Sequence, residues 1–150
     1  MAENVREVAE RILFSSSLED KLLLGPRGAE DNCCGKAIKA PQFPERPEYL
    51  TVGDRGIRAD FPGSNRIIDD KERGVMMHFL ANHELLAAEL MALVLLKFPE
   101  APKDYRAGVY EAMREEQMHT QMYLRRMHDC GVSFGELPLN DYFWRVVSSM

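Results

Sequence analysis

Cysteine is scarce in this chain: Cys33, Cys34 and Cys130 make an odd total, the first two are adjacent, and no Cys-x-x-Cys spacing occurs. That argues against a disulfide framework and against a thiolate zinc or dithiol redox motif, and it fits reduced thiols in a reducing compartment. A thiol role for the Cys33-Cys34 loop stays open. Positive charge is also in short supply. Nineteen Lys and Arg against 24 Asp and Glu leave a formal charge of −5, so the chain as a whole offers no electrostatic footprint for nucleic acid. Long apolar runs are missing too. The N-terminus, Met1-Ala2-Glu3-Asn4-Val5-Arg6, leads into no signal-peptide core, and the most apolar stretch, Leu85 to Leu96, is interrupted by Glu89 and is too short to span a bilayer. The expectation is a cytoplasmic protein without a membrane partner. Internal repeats and low-complexity tracts are absent as well.

What is present is enough for one domain with a real core, since a chain of 150 residues buries roughly 68–70% of its unfolded surface. Residues 3–13 place Val5, Val8, Ala9, Ile12 and Leu13 at three- and four-residue spacing, which predicts a short amphipathic helix. Ser17 is placed to cap a second short turn through Leu22. The organisation reads as an N-terminal helical leader (1–24), an irregular Pro- and Gly-rich segment (25–68) carrying Pro26, Pro41, Pro44, Pro47 and Pro62, and a helical part (69–150). A loop of that length is uncommon in a compact domain and predicts a segment that wraps over a scaffold. In the last part Asp69 and Glu72 form a capping-box pattern, Pro99 ends the first helix, Pro102 opens a second and Gly131 closes it. Each helix covers about 28 residues, or about 42 Å, and the short connection predicts an antiparallel hairpin, half of a four-helix bundle. A further helix is expected to begin near Asn140.

The two long helices carry the chemistry. At about 100° per residue, Glu84 is surrounded on its helix by Met77, Leu80, Ala81, Ala87, Ala88, Met91 and Leu95. Glu116 gathers Tyr105, Val109, Ala112, Met113, His119, Thr120, Tyr123 and Met127. These are expected to be core-facing stripes, and an ionised carboxylate there costs several kcal/mol unless a cation, a proton or a donor compensates it. Glu116 and His119 stand at i, i+3, so both can reach one ion. Bundle proteins with two iron or manganese ions take a Glu from each of two helices and a Glu-x-x-His from each of the other two, and this chain supplies one of each. Glu84, Glu116 and His119 are therefore the candidate metal ligands, for iron or manganese by the mixture of carboxylate and imidazole donors. Around them, Glu89, Tyr123 and His83 are candidates to hydrogen bond the ligands. Glu89 shares a side of its helix with His78 and Asn82, His83 reads more readily as a packing residue, and Arg125 and Arg126 read as surface.

The stretches His78-Phe79-Leu80-Ala81-Asn82-His83-Glu84-Leu85-Leu86-Ala87-Ala88-Glu89-Leu90-Met91-Ala92, Arg114-Glu115-Glu116-Gln117-Met118-His119 and Phe134-Gly135-Glu136-Leu137-Pro138, with Phe143-Trp144, resemble the ferritin-like family catalogued as domain of unknown function 455. Ala9-Glu10-Arg11-Ile12-Leu13-Phe14 and Leu18-Glu19-Asp20-Lys21-Leu22 are similar to its leader. The resemblance covers most of the chain, the proline-rich middle only loosely. It implies an all-α, ferritin-like bundle with a di-metal centre, in a superfamily that includes hydroxylases. It also implies two more helices with a second Glu and a second Glu-x-x-His, which do not occur before Met150. Two explanations are open: the chain is a piece of a longer protein, or two copies pair their hairpins so that each contributes Glu84, Glu116 and His119. Burial favours a homodimer, because one short helix and loops cannot cover two long apolar helices. The expected function is a di-iron or di-manganese oxidoreductase or oxygenase of unknown small-molecule substrate. The alternatives are a metal-binding or storage protein without turnover, and a non-catalytic helical dimerisation module.

Overall fold

The computed structural model describes residues 2–52 and 69–150. Among these the regular elements are all helical: α1 (Val5–Phe14), α2 (Leu18–Leu22), a single 3-10 turn at Glu48–Leu50, α3 (Asp70–Lys97), α4 (Lys103–Asp129) and α5 (Tyr142–Val147). Residues 53–68, the last part of the segment expected to be irregular, lie outside the described residues.

Local chemistry starts and stops these helices much as the residues suggest. Asn4 caps α1 in a reciprocal box with Glu7, and Ser17 caps α2 by accepting from the Asp20 amide. The Asp69 carboxylate accepts from the Glu72 amide at 2.7 Å, satisfying one of the unpaired donors of the first turn of α3. Pro102 stands just outside α4, and Gly131 follows its end at φ +80°, a left-handed conformation that costs glycine nothing. The further helix is shorter than expected and begins at Tyr142.

The connection between α3 and α4 is only a few residues, so the two run antiparallel as the principal packed pair. Val5, Val8, Ala9, Ile12 and Leu13 of α1 are buried with Leu86, Leu93, Leu95 and Leu96 of α3, and with Tyr110, Met113 and Trp144. Although α3 is long and apolar enough to cross a membrane, most of it is buried inside this fold, where it forms the core. The irregular segment wraps the hairpin as its length predicts: Ile38 bonds the Leu96 carbonyl, Glu45 the Leu13 carbonyl, and Trp144 Nε1 donates to Gln42 O at 2.8 Å.

One expectation about burial is corrected. The covered side of α4 takes in Met113, Thr120 and Met127 but also a polar stripe of Arg106, Tyr110, Arg114 and Gln117, the last three of which donate to backbone carbonyls of the leader and of the segment after it. Arg106 also caps the end of α3 through the Leu95 and Phe98 carbonyls, 2.8 and 2.9 Å away, while gripping Asp31 with two nitrogens. Because the leader and residues 25–52 dock on that side, the stripes marked by apolar period are only half covered. Met77, Leu80, Ala87 and Met91 on α3 and Val109, Ala112 and Tyr123 on α4 are partly buried, and Tyr105 is exposed.

Candidate metal centre

Glu84 projects from the middle of α3, and Glu116 and His119 from the facing part of α4. Residues three apart on a helix stack one turn above the other, so His119 Nδ1 lies 3.4 Å from Glu116 Oε2. One donor atom from each of the three residues falls within 4.8 Å of the others, all on the open side of the hairpin. Donors at about 2.0–2.2 Å from a shared ion lie at most about 4.4 Å apart, so a rotamer adjustment of a few tenths of an ångström closes the set. The Glu116 side chain is 19% exposed and that of His119 46%, so the centre sits at the lip of the hairpin and not in its core.

The electrostatics would suit a cation. Burial, then the hydrogen bond with Glu84 and the charge of Glu84, push the Glu116 carboxyl up to about 7, while His119 pulls it down. Two carboxyl groups this close hold a proton between them near neutral pH. Two carboxylates and an imidazole around a removable proton fit a divalent first-row ion, with Glu84, Glu116 and His119 as its holders. Beside them opens a cavity of about 230 Å³, lined by Met77, Glu84, His119, Met122, Tyr123 and Arg126.

A family model described as a protein of unknown function, DUF455, matches residues 3–150. The chain belongs to the DUF455 family. No curated protein and no solved structure matches it. The match takes in every helix of the fold and all three donors of the candidate centre, and the DUF455 description carries no activity with it.

The other residues singled out by pattern in this DUF455 chain go to different places. Tyr123 stands in the cavity wall with Glu84 and His119. His83 packs its ring edge-on against Phe143, 4.5 Å between centroids, as expected of a packing histidine. Glu89 does join a polar patch with Asn82, but it faces the leader and is fully buried in an ion network of its own. Arg46 holds it through Nη2 at 2.6 Å and Nε at 3.0 Å, and Lys21 Nζ stands 3.1 Å away. Arg46 also donates to Asn82 Oδ1 and to the Leu50 carbonyl, so one guanidinium ties α3 to the irregular segment. Burial pulls the Lys21 ammonium below its usual range, and Glu89 opposes that shift.

His78, grouped with Glu89 and Asn82 by helical phase, serves another loop: its Nε2 accepts from the amides of Gly135 and Leu137. The partners Lys21 and Arg46 escaped the sequence reading. A glutamate inside the most apolar run of the chain was the available signal that a basic partner must be found for it, but nothing in spacing says which one.

Proposed function

We propose that this DUF455 protein is a metal-dependent oxidoreductase or oxygenase that holds iron or manganese at Glu84, Glu116 and His119 and acts on a small organic molecule. The observation that carries the reading is the convergence of those three donors within 4.8 Å on facing helices, with a cavity of organic size at their side. Their arrangement, a Glu opposite a Glu-x-x-His on an antiparallel pair, is half the ligand set of a ferritin-like di-metal bundle. A metal store without turnover needs the donors but has no use for the cavity. A bound ion would supply Lewis acidity and one-electron chemistry. The chain's residues do the rest: Glu84 and Glu116 offset the ion's charge, His119 fixes an imidazole at the cavity mouth, and Met77 and Met122 give the walls apolar surface.

In the same reading a second copy, packed on the open side about a two-fold axis, supplies the other half of the ligands. The half-covered apolar stripes favour it, since partly exposed Met91, Val109 and Ala112 are the residues such a contact would bury. The free cysteines, with Cys33 exposed, fit the reducing cytoplasm as the place of work.

The test is metal content measured together with solution mass. The expected result is a dimer that retains about two iron or manganese ions, half of the set coming from each chain. Glu116→Ala and His119→Ala should each lose the metal while keeping the helical signal. A folded wild-type chain that takes up neither metal refutes the reading. A monomer that binds metal as tightly as any dimer refutes the pairing alone.

A further inference from the structure

The cavity beside the metal donors has a cationic wall that metal binding leaves unused. Glu84 and His119 stand at one end of it and Arg126 at the other. Seven residues separate His119 from Arg126, which returns Arg126 to nearly the same side of α4, about 10 Å further along the axis. Met77, Met122 and Tyr123 line the rest. Arg126 is exposed at the rim of the cavity, and its guanidinium makes no hydrogen bond or ion pair with any described residue, in a chain where acidic side chains outnumber basic ones.

We propose that this cavity binds a short-chain monocarboxylate, with its carboxylate on Arg126 and its apolar far end toward Glu84 and His119. The proposal rests on the metal reading for what happens at that far end, and on the cavity alone for binding. Three physical points select the ligand. A planar guanidinium pairs with a carboxylate through two parallel hydrogen bonds, and among the described residues it is the one Arg or Lys in the wall. A phosphate monoester carries about −1.5 to −2 charge at neutral pH and would meet that single cation with Glu84 across the cavity, so a singly charged head group fits better. At about 230 Å³ the space falls below the roughly 300–1,000 Å³ of sites for drug-sized ligands, which limits the apolar body to a few carbon atoms. Orientation follows from charge: in the loaded centre Glu84 and Glu116 offset the ion, which leaves Arg126 as the net cation for an anionic head, and Met122, between Arg126 and His119 on α4, favours the tail.

The experiment loads the full chain with Mn²⁺, adds hexanoate, and reads the paramagnetic relaxation of the hexanoate protons. The terminal methyl should relax faster than the methylene beside the carboxylate. Arg126→Gln should weaken hexanoate binding by up to about fivefold, the usual effect of losing an exposed charge pair, with Mn²⁺ affinity unchanged, and Arg126→Lys should restore part of it. Neutral hexanol should bind wild type more weakly than hexanoate does. Fastest relaxation at the methylene, which would put the carboxylate on the metal, overturns the proposal; so does hexanoate binding indifferent to Arg126→Gln, or tighter binding of hexyl phosphate. If the chain takes up no Mn²⁺, the metal reading fails separately. Hexanoate-dependent shifts of the Met77 and Met122 methyl signals, lost in Arg126→Gln, would then still support the carboxylate site, and no shifts would overturn it.

Discussion

Glu84 and Glu89 are five residues apart on one helix and have opposite surroundings. Glu89 is the carboxylate that two buried basic side chains share, so Glu89→Ala leaves Lys21 and Arg46 without an acidic partner in the core and should cost about 3–5 kcal/mol in urea denaturation. Glu84→Ala removes a like charge from beside Glu116 and should leave the metal-free protein no less stable, while abolishing metal uptake. Glu116 itself adds a pH signature. Its folded value of about 7 exceeds the ordinary 4.5, so the folded state binds the extra proton between those values. The stability it contributes to the metal-free protein is therefore complete below about 4.5 and lost as pH rises through 7. Titrating urea midpoints against pH should show that loss, and Glu84→Gln should reduce it. Below pH 7, metal binding should displace about one proton per centre, readable by calorimetry in buffers of different ionisation enthalpy.

At the scale of elements, α3 holds the turn-rich loop after α4 through one imidazole. His78 is buried, packs edge-on against Phe134 at 5.4 Å, and accepts from Gly135 and Leu137, which requires a neutral ring. Burial lowers its pKa below the usual 6.5, and Glu136, the acidic group facing it in the same loop, opposes the shift. A lowered value means that the folded state binds fewer protons just below pH 6.5. The contribution is thus present above 6.5 and lost as pH falls below it. Hydrogen exchange at the Gly135 and Leu137 amides, corrected for intrinsic rates, should therefore quicken relative to the α3 core as pH drops. In His78→Ala it should be fast at every pH. The existence of these helices was legible in the residues, because capping at Ser17 and Asp69 and the breaks at Pro99 and Gly131 are local chemistry. The lengths of α1 and α3 followed closely as well, whereas α5 is confined to Tyr142–Val147.

At the scale of the whole molecule the leader and residues 25–52 take one side of the hairpin and leave the other, with the three candidate donors, half open. Met91 lies on that side, partly buried against the edge of the core, so Met91→Lys should preserve the helical signal at a modest cost in thermal stability. If copies pair there, it should shift solution mass from dimer to monomer and lower metal content with it. The sequence by itself determined which residues share a helix face: Glu84, and Glu116 with His119, follow from a 3.6-residue period that no later packing can alter. It could not say which face would be buried. Polar Arg106, Arg114 and Gln117 were drawn inside and apolar Tyr105 was left outside, because burial depends on where a distant segment docks and whether its carbonyls can satisfy the donors. Only the tertiary structure decided that Glu89 would meet Lys21 and Arg46 while Glu84 met Glu116, since those pairings join residues brought together by the docking of the leader and by the crossing of two helices.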